Sequence, residues 1–169
     1  MDQAISATGD PVITNKGIFG KYVSILHRQE QRHLSHVMQE YDVSPFSYPL
    51  LIYLYLNEGV NQRRLCQILS LDEALATRTM RKLEAEGYVH RERDPNDQRS
   101  YLLTLTKQGR ELAEILKEEL VNWWGELFAD VDEESIALLD NLMDRMSTRA
   151  VELNKMRSSG AEVLQDLND

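Results

Sequence analysis

The chain has 169 residues, of which 42% are hydrophobic and 28% are charged, a profile that fits one soluble domain with an ordinary core. Its net charge of −9 argues against a protein that binds nucleic acid through overall charge alone. The polar start MDQAISATGD has no basic region typical of a signal peptide, and the longest apolar run, Tyr48 to Leu56, is too short to cross a membrane. We therefore expect a cytoplasmic protein with no membrane partner.

The first third of the chain is predicted to be helical. Residues 1 to about 14 lack periodicity and are expected to form an arm, after which apolar residues recur at helical spacing from about Lys16 to Tyr41. A second helix, from Ser44-Pro45 to about Asn57, is apolar on nearly every side and is expected in the middle of the core. Pro49 falls in its first turn, where the missing N–H costs little. Residues 1–43 are thus predicted to be an arm and a dimerisation helix.

Two shorter helices follow, joined by a short turn. The first is predicted from an Asn61 cap to Ile68 or Leu69, and the second from an Asp72 cap to about Glu86. Gly87 is placed to end the second helix in a left-handed conformation. Only Ser70-Leu71 separate the pair, and two helices joined so closely predict a helix-turn-helix motif.

A hairpin and two long helices complete the chain. Tyr88 to Arg93 and Tyr101 to Leu105 are predicted strands, joined by the polar turn Asp94-Pro95-Asn96-Asp97. Thr106 to about Phe128 and Asp132 to about Met156 are predicted helices with apolar stripes. The predicted fold class is mainly α with a small β-hairpin, a winged helix-turn-helix lobe plus a helical dimerisation layer.

The predicted organisation has a central lobe at residues 44–106, C-terminal dimerisation helices at 107–157 and a flexible tail at 158–169. The lobe cannot cover the apolar stripes of the outer helices, so the simplest partner is a second copy of the chain, with an internal bundle in a monomer as the alternative. Residues 44–110 hold ten Lys and Arg against eight Asp and Glu, a net of +2, which leaves −11 for the rest. This asymmetry is typical of a DNA contact face on an acidic scaffold, although accidental clustering on a solvated surface gives the same pattern.

The second helix of the pair, LDEALATRTMRKLEAEG, divides into two faces. Its apolar back consists of Ala76, Met80 and Leu83. Its front carries groups suited to phosphates and base edges, namely Glu73, Thr77, Arg78, Arg81 and Lys82. The small Ala74 would allow close approach to a major groove, and Leu75 is either partly buried or placed against a thymine methyl. An exposed helix whose arginines pair weakly with nearby glutamates is the alternative.

The hairpin places three more arginines beside this helix. Arg91, Arg93 and Arg99 flank the turn, and an arginine at a wing tip is attracted by the negative potential of a minor groove. Asp97 could accept the Arg99 guanidinium and set its direction, and Asp94 could do the same for a strand arginine. Turn formation alone would also account for both aspartates.

The stretch LCQILSLDEALATRTMRKLEAEGYVHRERDPNDQRSYLLTLTKQGREL resembles the core of the MarR (multiple-antibiotic-resistance regulator) family of bacterial transcription factors. The resemblance is close from Leu65 to Leu112. Its most specific part is the D-x-R followed by L-T-x-x-G, formed here by Asp97, Arg99, Leu105, Thr106 and Gly109. Thr77-Arg78, Leu83 and Gly87-Tyr88-Val89 also match the family's recognition helix and the start of its strand. Leu75 and Thr79 depart from the family's usual residues, so a base preference does not carry over.

The resemblance implies a triangular homodimer, in which the first helix and the last two helices of each chain form the dimer layer. It implies a palindromic operator, with a recognition helix in each major groove and a wing tip in each adjacent minor groove. By position, Thr77 and Arg78 would contact the major groove, Arg99 would be the wing arginine oriented by Asp97, and Gln62 and its two arginine neighbours would reach phosphates. The full predicted DNA-binding set is Gln62, Arg63, Arg64, Glu73, Ala74, Thr77, Arg78, Arg81, Lys82, Arg91, Arg93, Asp97 and Arg99.

The resemblance also implies an effector site, because family members often bind small anionic aromatic ligands where the dimer layer meets the lobe. Tyr22, His33, Tyr48 and Tyr53 could line such a space, although each is also accounted for as a core or interface residue. The predicted function is a dimeric, sequence-specific DNA-binding regulator, a repressor relieved by a small ligand. A winged-helix adaptor that does not bind DNA is the alternative, and the overall acidity favours it.

Other chemistry has little support in the sequence. Cys66, the only cysteine, cannot form an intrachain disulfide, and it takes a small buried position where thiols are usually inert. His33, His36 and Glu40 are spaced for zinc on one helix, without a cysteine or carboxylate cluster behind them. No nucleophile–base pair, glycine-rich phosphate loop or metal ligand set is visible, so we expect neither an enzyme nor a cofactor.

Overall fold

The computed structural model describes residues 18–166 apart from Asn96 and Gln98, with the main chain alone described at Lys155 and from 157 to 166. The predicted arm therefore lies outside the described residues. In chain order the elements are helix α1 (Ile18–Glu40), a 3₁₀ turn (Pro45–Ser47), helix α2 (Tyr48–Leu56), strand β1 (Val60–Asn61), helices α3 (Gln62–Ile68) and α4 (Glu73–Ala85), strands β2 (Val89–Arg93) and β3 (Tyr101–Leu105), and helices α5 (Lys107–Leu127) and α6 (Glu133–Asp166). The predicted fold class, mainly α with a winged helix-turn-helix lobe, is confirmed. No helix in the described part of the chain is long and apolar enough to cross a bilayer.

Helix α2 lies at the centre of the core, as its apolar sequence predicts. Leu50, Leu51 and Leu54 are almost completely buried, and the helix packs against α5, which also packs against α1. The neighbouring helices add to the same cluster the side chains of Leu34, Met38, Leu112, Ala113 and Leu116. Burial of one such leucine contributes roughly 1.5–3 kcal/mol, so this three-helix contact holds the lobe to the outer layer.

The start of α2 differs from the prediction of one continuous helix. Ser44 caps the 3₁₀ turn, its hydroxyl accepting the Phe46 N–H at 3.4 Å, and the α-helix begins at Tyr48. Pro49 explains the difference, because it has no N–H to donate to the carbonyl of Pro45 and its ring would clash with that carbonyl in a continuous α-helix. The chain therefore makes one tight turn before α2 begins.

The helix-turn-helix forms with the predicted caps. Asn61 Oδ1 accepts the Arg63 N–H at 2.9 Å, and Asp72 Oδ1 accepts the Leu75 N–H at 2.8 Å. Each cap satisfies an N–H that the first turn of a helix leaves without a partner, which stabilises the helix by about 1 kcal/mol. After α4, Gly87 has a φ of +82°, the left-handed conformation expected of a glycine in this position.

The sheet has three strands in the described residues, where the sequence predicts two. Strand β3 lies between β1 and β2 and is antiparallel to both, with Val60 opposite Leu103 and Val89 opposite Leu105. Strand β1 has only two residues, too few to show the alternation that identifies a strand in a sequence. Its pairing places the start of α3 beside the wing, which we define as β2, β3 and the turn between them.

The first turn of α5 packs against the start of β2. Thr106 Oγ1 donates to the Gly87 carbonyl at 2.6 Å and accepts the Gly109 N–H at 3.0 Å, while the Thr106 N–H donates to the Tyr88 carbonyl at 3.0 Å. A Cβ added to Gly109 would lie 1.9 Å from that Tyr88 oxygen. Glycine weakens a helix in general, but here the close approach of two main chains requires it.

The outer helices leave many apolar side chains exposed. On α1 and α6 these include Phe19, Tyr22, Val23, Ile25, Leu26, Leu138, Leu139, Leu142, Met143, Met146, Leu153 and Met156. Helix α6 also continues to Asp166, beyond its predicted end near Met156 and into the predicted tail at 158–169. The Ser158-Ser159-Gly160 stretch does not end the helix, since each of these residues costs a helix only about 0.5–1 kcal/mol.

Candidate nucleic-acid interface

Helix α4 presents the two faces that its sequence predicts. Ala76, Met80 and Leu83 are buried against the core. The opposite face is exposed and consists of Glu73, Ala74, Arg78, Arg81 and Lys82. Lys82 pairs with Glu86 at 3.3 Å, a contact on an exposed helix that contributes little. Arg78 and Arg81 form no ion pair within the described part of the chain, so their guanidinium groups are available to a partner.

Leu75 is exposed in the first turn of the same helix, with 48% of its surface accessible. The sequence leaves open whether Leu75 is partly buried or faces outward, and in the structure it faces outward. The Leu75 carbonyl accepts the Thr79 hydroxyl at 3.0 Å, so Thr79 is directed toward its own helix. An exposed leucine at this point offers apolar surface of the kind that contacts a thymine methyl.

A polar cleft of about 470 Å³ lies between α3, α4 and the wing. It gathers many of the predicted DNA-binding residues, namely Gln62, Arg63, Glu73, Thr77, Arg81, Arg91, Asp97 and Arg99. The rest of the predicted set lies outside its lining and consists of Arg64, Ala74, Arg78, Lys82 and Arg93. Separate segments of sequence thus supply one concave, arginine-bearing surface.

Three of these residues bind one another instead of pointing outward. Gln62 Nε2 donates to Thr77 Oγ1 at 2.9 Å, and Arg91 Nη2 donates to Gln62 Oε1 at 3.2 Å. Arg91 Nη1 pairs with Glu84 at 3.2 Å, and the guanidinium lies 4.3 Å from the centre of the Tyr101 ring. Only 6% of the Arg91 side chain is accessible. Gln62 and Arg91, which the sequence predicts as DNA contacts, are therefore committed to protein partners.

The turn end of the wing is attached to Asn61, at the start of α3. Its Oδ1 caps α3, and its Nδ2 donates to the buried carboxylate of Asp94 at 2.8 Å. This bond ties Asp94 to the helix-turn-helix, and the predicted role of Asp94 in fixing a strand arginine stays a prediction. Arg93 is exposed and lies over the Tyr101 ring, 4.5 Å from its centre. Asn61, Glu84 and Tyr101 also belong to this site, and the sequence does not indicate it, because their partners lie on other helices and strands.

At the wing tip, Asp97 shapes the turn. Its carboxylate accepts the main-chain N–H of Arg99 at 3.0 Å, and its carbonyl accepts the Ser100 N–H at 2.8 Å. This is an Asx turn, the role that the sequence left open beside guanidinium binding. Among the described residues Asp97 forms no ion pair with the Arg99 side chain, which is exposed. Asp97 therefore directs Arg99 through the main chain.

The residues predicted to line a ligand space lie in different surroundings. Tyr22 lines an apolar groove of about 690 Å³ between α1, α5 and α6. His33 contacts Glu119 at 3.1 Å and stacks on Trp123 with ring centres 6.1 Å apart. Tyr53 is partly buried against the main core. Of the four predicted residues, Tyr22 lines this groove and the other three do not, and their role in binding a ligand stays a prediction.

Tyr48, the fourth of these residues, is held by Glu30 of α1. The Tyr48 hydroxyl donates to Glu30 Oε2, and Trp124 Nε1 donates to Glu30 Oε1 at 2.9 Å. Burial, followed by the hydrogen bond to Glu30, raises the pKa of Tyr48 well above its ordinary value, so the hydroxyl remains a donor. Glu30 thereby joins α1, α2 and α5 where the lobe meets the outer layer. The sequence offers no signal for it, since an exposed-looking glutamate on a helix is common.

The structure places Cys66 in the core, as predicted. Burial, followed by the negative charge of Glu73, raises the pKa of its thiol, which makes it a weak nucleophile near neutral pH. In the part of the chain that the structure describes, no group of three or more His, Cys, Asp or Glu residues is arranged to hold a metal ion.

The arrangement can be compared with known proteins. The sequence profile of the MarR family matches residues 41–100, from the end of α1 to the turn of the wing. A MarR transcriptional regulator from Methanosarcina mazei Go1 has a similar structure, with a TM-score of 0.74 and 31% identity over 82% of this chain and 99% of that one. The chain belongs to the MarR family.

Two further proteins are similar to this MarR-family chain. An uncharacterized HTH-type transcriptional regulator, YdgJ of Bacillus subtilis strain 168, is 38% identical over 97 residues, which are 57% of this chain and 59% of that relative. The match therefore spans less than two thirds of that relative's length. A MarR family regulator from Listeria monocytogenes, complexed with a 26mer DNA, has a TM-score of 0.74 at 19% identity over 78% of this chain and 88% of that one, a likeness that shows the fold.

Proposed function

We propose that this MarR-family protein is a homodimeric, sequence-specific DNA-binding regulator that represses transcription and is relieved by a small ligand. One observation carries the DNA binding: three exposed arginines, Arg63 of α3, Arg81 of α4 and Arg99 of the wing, line a single cleft. Guanidinium groups on three elements can reach separate phosphates and groove edges of one duplex. The L. monocytogenes neighbour, whose fold this chain shares, forms a complex with a 26mer DNA, which supports the proposal.

The exposed face of α4 suits the major groove. Arg78 and Arg81 provide donors for guanine edges or phosphates, and Leu75 provides apolar contact for a thymine methyl. Arg99 at the wing tip suits the adjacent minor groove, where the negative potential attracts a guanidinium. In a homodimer, two such lobes would read the halves of a palindrome about 34 Å apart.

To test the DNA binding, purified protein is mixed with fragmented genomic DNA and the duplex that it binds is recovered. The selected duplex is then titrated at several salt concentrations, and we expect a steep fall of affinity with salt because phosphate contacts release counterions. Arg99→Gln should lower the affinity and reduce the salt slope by about one. Arg145→Gln, an exposed arginine on α6, is the matched control and should change neither quantity.

The same titration separates the two candidate functions. An adaptor without DNA binding is favoured by the acidity outside the lobe, where the net charge of the residues beyond 44–110 is −11. Such a protein would select no fragment, or would bind with a flat salt response. Either result would contradict the DNA-binding regulator and favour the adaptor.

The exposed apolar faces of α1 and α6 support the homodimer. Monomeric proteins rarely leave a large contiguous apolar surface uncovered, and a second copy presents the same two faces. Met146→Glu on α6 should shift the protein from dimer to monomer in sedimentation equilibrium and weaken operator binding, because two linked lobes bind more tightly than one. Lys117→Glu, also on an exposed helix position, serves as the charge control. A wild-type protein that sediments as a monomer would contradict the homodimer.

The groove beside Tyr22 lies on the faces of α1 and α6 that the homodimer would cover, and it supports an effector that would bind within the dimer layer. Its volume of about 690 Å³ is in the range of small-molecule sites, and its lining includes the rings of Phe19, Trp124 and Phe128. Glu133 and Asp140 lie in the same lining, so an anionic ligand at this groove would meet like charges.

A ligand at this groove would alter the packing of the outer helices and, through them, the spacing of the lobes. The test is a screen of aromatic compounds for release of the operator, repeated with Tyr22→Ala. Compounds that release the wild-type protein should lose potency against the variant. Equal potency on both proteins would show that the compounds do not act through the groove.

A further inference from the structure

We infer that Gln62 and Arg91 are positioning residues, which hold the wing at a set angle to the recognition helix instead of contacting DNA. The inference rests on the proposed DNA binding and adds a role for residues that the sequence assigns to the DNA contact. They belong to one connected set of side chains, which we term the wing clasp: Asn61, Gln62, Thr77, Glu84, Arg91 and Asp94.

The clasp begins with two consecutive residues at the start of α3. Asn61 donates to Asp94, just after β2, at 2.8 Å. Gln62 donates to Thr77 of α4 at 2.9 Å and accepts from Arg91 of β2 at 3.2 Å. Adjacent side chains therefore hold β2 at its middle and just beyond its end, and they tie it to the recognition helix.

Arg91 closes the clasp. Its Nη1 pairs with Glu84 near the end of α4 at 3.2 Å, and the ring of Tyr101 covers the guanidinium at 4.3 Å. The planar fork allows one side chain to bond both Gln62 and Glu84, which a lysine ammonium could not reproduce in this geometry. With only 6% of the side chain accessible, a phosphate could reach Arg91 only by displacing one of these partners.

The angle of the wing matters because the recognition helix and the wing tip must enter neighbouring grooves at the same time. Arg99 lies in the turn of the two-stranded ribbon, so a rotation of the ribbon about its start at Val89 and Leu105 would carry this arginine away from its groove. The bonds to Arg91, in the middle of β2, and to Asp94, at the start of the turn, oppose this rotation, and they contribute to affinity through pre-organisation without neutralising any phosphate.

Arg91→Met tests the role, since methionine keeps an unbranched stem at this position and removes the charge and the hydrogen bonds of the guanidinium. The readouts are the salt titration and a hydroxyl-radical footprint, both on the duplex selected by the wild-type protein. We expect about a tenfold loss of affinity, an unchanged salt slope, and loss of the protection at the wing's minor-groove position while the protection by α4 remains.

Arg99→Gln is the matched comparison, because a direct phosphate contact should reduce the salt slope by about one. A similar reduction in Arg91→Met would overturn the inference, since it would identify Arg91 as a phosphate contact. A lysine at position 91, in Arg91→Lys, should keep the slope and restore the wing footprint only in part.

A second variant avoids the risk that Arg91→Met fails to fold. Glu84→Gln changes the more exposed partner and leaves the arginine in place, so it should give the same footprint change in weaker form. The double variant should bind no more weakly than Arg91→Met alone, because both changes break one network. Fully additive losses would overturn the clasp.

The outcome also distinguishes this inference from the proposed function. A wild-type protein without salt-dependent DNA binding would overturn both. A wild-type protein that binds DNA, together with a reduced salt slope in Arg91→Met, would overturn the positioning role alone.

Discussion

The winged lobe and the outer helices of this chain place their apolar side chains in opposite ways. In the lobe, Leu51 and Leu103 are completely buried, whereas Leu142 and Met146 of α6 have 41% and 51% of their surfaces accessible. Both regions have amphipathic sequences, so the difference lies in which covering surfaces the chain itself can supply. The lobe is covered by contacts within the chain, including those of α2 with α5, whereas α6 and the start of α1 present faces that a second surface would have to cover.

The largest expected effect is the removal of a core leucine from the lobe. Leu51→Ala should lower the free energy of unfolding by about 3 kcal/mol, because it removes a buried side chain and leaves a cavity. Denaturant titration at two protein concentrations measures it, and the loss should be the same at both. Leu142→Ala is the matched variant on α6, and its effect should grow as the protein is diluted. Equal, concentration-independent losses in the two variants would remove the distinction between the regions.

Two glycines of α5 test the same difference between the packed lobe and the uncovered outer helices. Gly109→Ala should lower the free energy of unfolding by about 2 kcal/mol, since the new Cβ would overlap the Tyr88 carbonyl and force the helix away from β2. Gly125, on an outer part of α5, has no atom within 4 Å of an added Cβ. Gly125→Ala should therefore stabilise the helix by about 0.5–1 kcal/mol. Thermal unfolding measures both, and changes of the same sign would contradict the close approach at Gly109.

The features predictable from the sequence are those fixed by short-range chemistry. The caps at Asn61, Asp72 and Thr106, and the left-handed Gly87, depend on residues within a few positions of each other. Periodicity also identified the buried face of α4 and the central place of α2. These features follow from local hydrogen bonding and from a repeat of 3.6 residues, so one sequence is enough to find them.

The features that the sequence did not reveal depend on contacts between distant segments. Arg91 and Gln62 are 29 residues apart, and nothing near either residue indicates that they bind each other. An arginine beside a turn has the same sequence pattern whether it points to solvent or lies under a tyrosine ring. Strand β1 was missed for the related reason that its only strand property is its pairing with β3. The sequence therefore does not distinguish the exposed side chains of the predicted interface from those that are bound to other side chains.

Leu75 is an exception to the buried leucines of the lobe, and its expected effect is smaller. If it contacts a thymine methyl, Leu75→Ala should cost about 1 kcal/mol of operator binding, the transfer energy of roughly one buried methyl group. Replacing each thymine of the half-site in turn by deoxyuridine, which lacks the methyl, identifies the base. At that position the variant and the modified DNA should lose no more together than either loses alone. If the losses of affinity were additive at every thymine, Leu75 would not contact a thymine methyl.

The smallest effect concerns the first turns of two helices. Helix α5 begins against β2 of the lobe, and α6 begins in the outer layer. Helix α5 is capped by the hydroxyl of Thr106, whereas α6 is capped by the carboxylate of Asp132, which accepts the Ser135 N–H and the Ser135 hydroxyl, both at 2.8 Å. The Ser135 N–H, followed by the hydroxyl, lowers the pKa of Asp132. Because the pKa is depressed in the folded state, this stabilisation is present above the ordinary carboxyl pKa and is lost as the pH falls through the folded value.

Acid should therefore loosen the start of α6 before it affects the start of α5. In an NMR titration below about pH 4, the Ser135 amide resonance should move with the protonation of Asp132 while that of Gly109 stays in place. Asp132→Ser supplies a cap that does not titrate in this range and should abolish the movement. If the Gly109 amide moved together with that of Ser135, acid would be acting on the whole layer and the difference between the two caps would not be its cause.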